Sequence, residues 1–203
     1  MAPFPDYPIP RDEEQRLRDL YRHAVLDSPS DPNFERIVEL ASVALDMPIA
    51  LVSLVDRDRQ WFLARHGLEV TETPRHMAFC AHTITDDDAL VVPDAQLDDR
   101  FNTNPLVLEG PRIRFYAGVP LHSPQGHNLG TLCVIDRRPR ELDAQQLALL
   151  ELMADLVVRE LELRRLGSLC PITGLTNRSA FFQQGQQEFQ QAKSSGVPLA
   201  LLN

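Results

Sequence analysis

Cysteine is scarce in this chain: Cys80, Cys133 and Cys170 are the only three in 203 residues. So few, and an odd number, argue against a secreted disulfide framework and for a reducing compartment, here the cytoplasm. Long apolar runs are absent too, which speaks against a membrane span. The opening MAPFPDYPIP carries four prolines and neither the basic nor the apolar stretch of a signal peptide. Positive charge is in deficit, with 20 Lys and Arg against 29 Asp and Glu and a net charge of −9, so a nucleic-acid partner is not expected. Neither a phosphate-cradling glycine loop, nor a dinucleotide glycine pattern, nor a Ser/His/Asp arrangement can be assembled. What remains is 43% apolar content, enough for a packed core.

The elements follow from periodicity. Leu17, Leu20, Tyr21 and Ala24 predict a helix over 11–26 after a leader of residues 1–14. Asp27–Pro32 (DSPSDP) interrupts it and supplies capping side chains. Phe34, Ile37, Val38, Ala41 and Leu45 predict a second helix ending near Asp46. PIALVSLVD is apolar at both parities, the pattern of a strand covered on both faces, and QWFLARHG reads as its antiparallel partner. A loop, a short helix over Phe79–Ile84 and a brief strand at LVV follow. RFYAGVPLHS and LGTLCVIDRR form a hairpin across the turn formers PQGHN. Leu142–Leu166 is a long helix without internal Gly or Pro. The sum is an α+β fold: a central antiparallel sheet of about six strands, terminal helices on one face and helical loops over the other. Irregular cover over a sheet is where a small-molecule cavity commonly forms.

Two apolar stripes run along the long helix. Leu147, Leu150, Ala154, Val157 and Leu161 suffice to seat it on its own sheet. Leu149, Leu152, Leu156, Leu163 and Leu166 form a second stripe, which predicts a second partner: the same helix of another copy, in a parallel homodimer. A single broad buried face is the plainer alternative.

The stretch from Leu26 to Leu166, with PRHMAFCAHTI, VVPDAQLDDRFNTNPLV, IRFYAGVPL and LGTLCVIDRRPREL in order, resembles a bacterial GAF sensor domain. ITGLTNR (Ile172–Arg178) is similar to the run that opens a GGDEF domain, the diguanylate cyclase fold. The resemblance implies a sensor at 15–166, then a linker and the start of a catalytic domain at 167–203. The catalytic loop of that second family lies nowhere in the chain, so no catalytic residue, GTP site or Mg site is expected here. Cys170 stands where the second family usually has Asp.

Within the sensor, Cys80 and His82 are two apart, so a helix points them away from each other, whereas His76 and Cys80 could share a face. No standard metal spacing results, and none is expected. Cys133 reads as a core strand cysteine, within reach of Cys80 if the helical loop lies over that strand. Arg112, Arg114 and Tyr116 are expected on one strand face, either facing an anionic ligand or pairing with Asp94, Asp98 or Asp99. From the resemblance, the pocket candidates are Cys80, His82, Asp94, Arg100, Phe101, Arg114, Tyr116 and Cys133. The implied role is sensing of a small ligand or a redox event, of unspecified identity, for control of a downstream cyclase through the dimeric helix. Alternatives are a thiol enzyme similar to free-methionine-sulfoxide reductases and a ligand-free dimerisation module.

Overall fold

A computed structural model describes residues 7–170 and 172–195. They fall into two compact units, divided between Leu161 and Glu162, inside the long helix rather than after it.

In the first unit, helix α1 (Glu13–Arg22) is followed by α2 (Pro32–Leu45). Asp31 caps α2, its carboxylate accepting the Asn33 N–H at 2.9 Å. Strands β1 (Ile49–Val55), β2 (Arg59–His66), β3 (Glu72–Pro74), β4 (Leu90–Val92), β5 (Phe115–His122) and β6 (Asn128–Asp136) build one sheet, ordered β3-β2-β1-β6-β5-β4. Every neighbouring pair is antiparallel. Between β3 and β5 lie the short helices α3 (Phe79–Thr83) and α4 (Pro105–Leu108), and α5 (Ala144–Gly167) closes the order.

Alternation along the strands divides the core in two. Ala50, Val52 and Leu54 of β1 join Leu132 and Val134 of β6 under α1, α2 and α5. Ile49, Leu51 and Val55 face the other way, with Cys133 and Ile135, toward α3 and the loops. Leu150, Met153, Ala154, Val157 and Leu161 of α5 are buried in the first cluster; that is the stripe the sequence assigns to the sheet with Met153 added and without Leu147, which is only part-buried. Leu149, Leu152, Leu156, Leu163 and Leu166 are all exposed, from 37% to 64%. A bulge shifts the β1–β2 register between Val52 and Ser53, so Leu63 and Ala64 both reach the helix side.

Glu13 fastens α1 to the end of the sheet. Its carboxylate accepts two bonds from Arg16 at 2.8 Å and one from Arg75. Arg16 also donates to the Val55 carbonyl at 2.8 Å, and Arg75 to that of Asp56 at 3.0 Å. Both guanidiniums are almost wholly buried, so their shared carboxylate is an obligatory counter-charge.

Three expectations move. The first helix is shorter than 11–26, because Asp27 and Ala24 adopt positive φ and stop it. An edge strand, β3, was not foreseen in the loop at 72–74. Finally, β5 begins only at Phe115, so strand alternation does not extend back to Arg112, which has φ of 64°.

In the second unit, Leu169 and Thr176 form an isolated bridge around a turn with Gly174 at φ 69°, and helix α6 (Arg178–Ser195) follows. Asn177 caps α6 by accepting the Ala180 N–H at 2.9 Å. PLALLN at 198–203 lies outside the described residues. Among the described residues, no helix is long and apolar enough to cross a membrane.

Candidate functional site

The sheet face away from the long helices is covered by α3, α4 and the segments 67–74 and 104–113. Between this cover and the sheet lies a cavity of about 260 Å³. Its floor is Ile49, Leu51, Phe62 and Ile135, and its walls include Leu68, Val70, Phe79, Leu106 and Ile113. Val70, half-exposed, and the exposed Gly110 mark its mouth. The cover is held by specific bonds. Asn104 caps α4 by accepting the Leu106 N–H at 2.9 Å, while its amide donates to the Met77 carbonyl at 3.0 Å. Thr71 receives the Phe62 N–H on its carbonyl at 2.9 Å, which lays the 67–74 segment along β2.

Among the described residues, no Asp, Glu, Lys, Arg or His lines the cavity. Its polar groups are Gln60, Thr73, Cys80 and Tyr116. Gln60 Oε1 and Thr73 Oγ1 are buried and find no hydrogen-bond partner among the described residues. Gln60 as a residue is 6% exposed. A buried polar atom without a partner costs about 1–3 kcal/mol, so these two on one cavity wall favour a guest that donates to Gln60 and bonds either way to the Thr73 hydroxyl.

Behind Cys80 lies a dense polar cluster. The Cys80 and Cys133 sulfurs are 3.9 Å apart. Thr131 Oγ1 donates to Cys80 Sγ at 3.0 Å and Tyr116 Oη at 3.4 Å, and Tyr116 shares a 2.8 Å bond with Thr83. Burial pushes the Cys80 thiol up, yet hydrogen bonding with Cys133, Thr131 and Tyr116 outweighs it and brings the group down to about 7. Cys133 moves the other way, raised by its bond to Cys80 and by burial. Gly118 makes this cluster possible. A Cβ there would sit 2.6 Å from Tyr116 Cζ, so only glycine lets the ring fold down its own strand.

Of the residues expected at the pocket, Cys80 and Tyr116 line the cavity, and Cys133 lies directly behind Cys80. Phe101 is buried one layer out, stacked on Phe79 with ring centroids 4.0 Å apart. His82 packs edge-on against Phe101 at 4.8 Å, and burial, then Arg100, lower its pKa. Asp94, Arg100 and Arg114 do not line the cavity. Arg114 grips Asp94 through both Nε and Nη2, the former at 2.7 Å, and Arg100 folds back onto Asp98 at 2.6 Å. Arg112 turns outward, its Nε donating to the Glu109 carbonyl at 3.2 Å. Of the two readings of these arginines, pairing with a loop carboxylate describes Arg114, which holds Asp94, whereas Arg112 is a surface arginine that faces no ligand. His76 is exposed, and among the described residues no cluster of three or more His, Cys, Asp or Glu is placed to hold a metal.

Gln60, Thr73, Leu106 and Ile113 escaped the sequence reading. Gln60 carried a readable signal, a polar residue sharing parity with Phe62 on a strand covered on both faces. A second, shallower depression of about 810 Å³ lies beside the end of α2, but Arg140 there already holds Asp136 at 2.7 Å and Asp46 at 3.4 Å.

Comparison with known proteins places this geometry. The GAF domain model matches residues 31–161. A cyclic di-GMP phosphodiesterase of Pseudomonas aeruginosa is 42% identical over 204 aligned residues, covering 97% of this chain and 35% of that protein. The chain thus spans about a third of that relative. The GAF domain of a phosphoenolpyruvate-protein phosphotransferase from Coxiella burnetii superposes with a TM-score of 0.56 at 18% identity, covering 77% of this chain and 96% of that one. A free methionine-R-sulfoxide reductase from Neisseria meningitidis does so at 0.56 and 19%, covering 76% and 90%. At such identities the likeness is one of fold.

Proposed function

This chain belongs to the GAF family, and from that premise we propose that it is the sensory module of a cytoplasmic protein that turns over cyclic di-GMP. The cavity takes a small, neutral, largely apolar molecule bearing a hydrogen-bond donor. One observation carries this reading: among the described residues the cavity has apolar walls, no Asp, Glu, Lys or Arg in its lining, and an unpartnered acceptor at Gln60 beside an unpartnered hydroxyl at Thr73. An anion would enter without a counter-charge, which is costly in so dry a space. A neutral donor would satisfy groups that are otherwise orphaned.

The relative from Pseudomonas aeruginosa supports cyclic di-GMP turnover as the output. It bears the name of a phosphodiesterase, which favours hydrolysis over the synthesis expected from ITGLTNR alone. Cys170 in place of the usual Asp weighs the same way. The bridged turn and capped helix α6 fit the opening of a further domain that resembles GGDEF. The signal leaves through a parallel homodimer of α5 helices, supported by the exposure of Leu149, Leu152 and Leu156 beside a stripe already committed to the sheet. The ligand biases two arrangements of that dimer by binding one more tightly than the other.

Native mass spectrometry of freshly purified protein tests the cavity. The expected result is a non-covalent adduct that disappears in a cavity-filling Leu51→Trp variant. Retention of the adduct in a folded Leu51→Trp protein would move the ligand elsewhere. Turnover of free methionine sulfoxide with a thiol reductant would instead favour the enzyme alternative.

A further inference from the structure

We propose that Cys80 and Cys133 form a reversible dithiol–disulfide site, oxidised by a small neutral hydroperoxide that reaches Cys80 through the cavity. The inference rests on the placement of the two sulfurs and does not need a resident ligand.

Four observations converge. The sulfurs lie 3.9 Å apart, so closing to a disulfide of about 2.05 Å takes a movement of roughly 1.9 Å. They sit on independent elements, Cys133 in the central strand β6 and Cys80 in the five-residue helix α3, so the adjustment falls on the short helix rather than on the sheet. Cys80 lines the cavity whereas Cys133 is screened behind it, which gives the pair an order of attack. Thr131 and Tyr116 point hydroxyls at the Cys80 sulfur, at 3.0 and 3.4 Å, and such donors stabilise a thiolate. The thiol's fall to about 7 agrees with that geometry. Cys170, by contrast, belongs to the other unit.

The chemistry balances in two steps. Cys80 thiolate attacks the terminal oxygen of ROOH; the S–O bond forms, the O–O bond breaks, and the alkoxide leaves, taking the thiol's proton as ROH. Cys80 is then a sulfenic acid. The Cys133 thiol attacks that sulfur; the S–S bond forms, the S–O bond breaks, and hydroxide leaves with the Cys133 proton as water. Two electrons pass from the two sulfurs to the peroxide. A neighbouring thiol favours this condensation over further oxidation of the sulfenic acid. A small dithiol resets the site by two exchange steps and is itself left as a disulfide. Joined to β6, α3 is tied to the sheet and the cavity loses its thiol.

The test uses the wild-type chain. After exposure to tert-butyl hydroperoxide, free thiols are alkylated and the protein is digested without reduction for peptide mass spectrometry. The expected product is a Cys80 peptide linked to a Cys133 peptide, lighter by two hydrogens and released by dithiothreitol, while Cys170 remains alkylatable. In Cys133→Ser the expected product is a dimedone adduct on Cys80. Linkage of Cys80 to Cys170, oxidation confined to Cys170, or a dimedone adduct on Cys80 that persists in the wild type would each overturn the assignment. Failure here leaves the ligand reading standing, because the adduct seen by native mass spectrometry requires no link between the cysteines.

Discussion

Replacing Gly118 by alanine probes the cluster of Tyr116 and Cys80 behind the cavity with a single methyl group. The new Cβ would fall 2.6 Å from Tyr116 Cζ and 3.0 Å from Cε1, with the hydroxyl closer still. Carbon atoms settle at about 3.5–4.0 Å, so the ring must withdraw by roughly 1 Å. Tyr116 is fully buried between Phe79 and the strand, and has nowhere to retreat without losing its bonds to Thr83 and Cys80. Overpacking costs about 1–3 kcal/mol and each lost hydrogen bond about 0.5–1.5, which together give about 3 kcal/mol. That is a large share of the roughly 5–15 kcal/mol of an ordinary domain. Urea unfolding measures it, and alkylation of Cys80 near neutral pH should slow as its Tyr116 donor withdraws. Tyr116→Leu clears the space, so the double variant should fall short of the summed losses, a coupling a double-mutant cycle isolates. A Gly118→Ala protein within about 0.5 kcal/mol of wild type, with Cys80 reacting at its normal rate, would refute the placement of Tyr116.

Glu13 gives the chain an acid-sensitive clasp. Burial raises its carboxyl, but bonds from Arg16 and then Arg75 hold it at about 2 instead of the ordinary 4.5. That gap corresponds to a ceiling of about 3.4 kcal/mol, fully present above pH 4.5 and lost as pH falls through 2. Water reaching the 15% exposed part of the side chain screens the pair, so roughly 2 kcal/mol is expected in urea titrations across that range. Glu13→Gln should cost about 3 kcal/mol at pH 7, because two buried guanidiniums lose their anion; a neutral effect would mean that α1 is held by apolar contacts alone. Arg114→Met should leave global unfolding nearly unchanged yet quicken hydrogen exchange in 94–101, since Arg114 there serves to hold Asp94. Light scattering should give a dimer for the wild type and a folded monomer for Leu152→Glu combined with Leu156→Glu. A dimer that survives both charges would move the interface off α5.

Much of the fold was legible because its periodicities are strong. Asp31 ahead of Phe34, Val38 and Ala41 announced α2, and the double-parity apolar run at 49–55 announced a strand covered on both faces. PQGHN between two apolar runs marked the β5–β6 hairpin. The three-residue β3 was not legible, since Glu72–Pro74 carries no apolar alternation and ends in a proline, as an edge strand tolerates. Arg112 was misplaced because alternation was extended through a segment that twists to positive φ before the strand begins. The cavity was foreseen only as a region. Its unpartnered polar groups come from adjacent strands, and although Gln60 carries a parity signal, its pairing with Thr73 depends on β3, which the sequence does not announce. The proximity of Cys80 and Cys133 depends on α3 lying over β6, which spacing along the chain does not reveal.

The neutrality of the cavity is most directly tested with a matched pair of probes, benzamide and benzoate, which share shape and differ in charge. Thermal unfolding in millimolar concentrations of each should show a higher midpoint with benzamide, whose amide N–H can serve Gln60 or Thr73, and that gain should shrink in Gln60→Leu. An equal or larger gain with benzoate, or a benzamide effect unchanged in Gln60→Leu, would contradict the account.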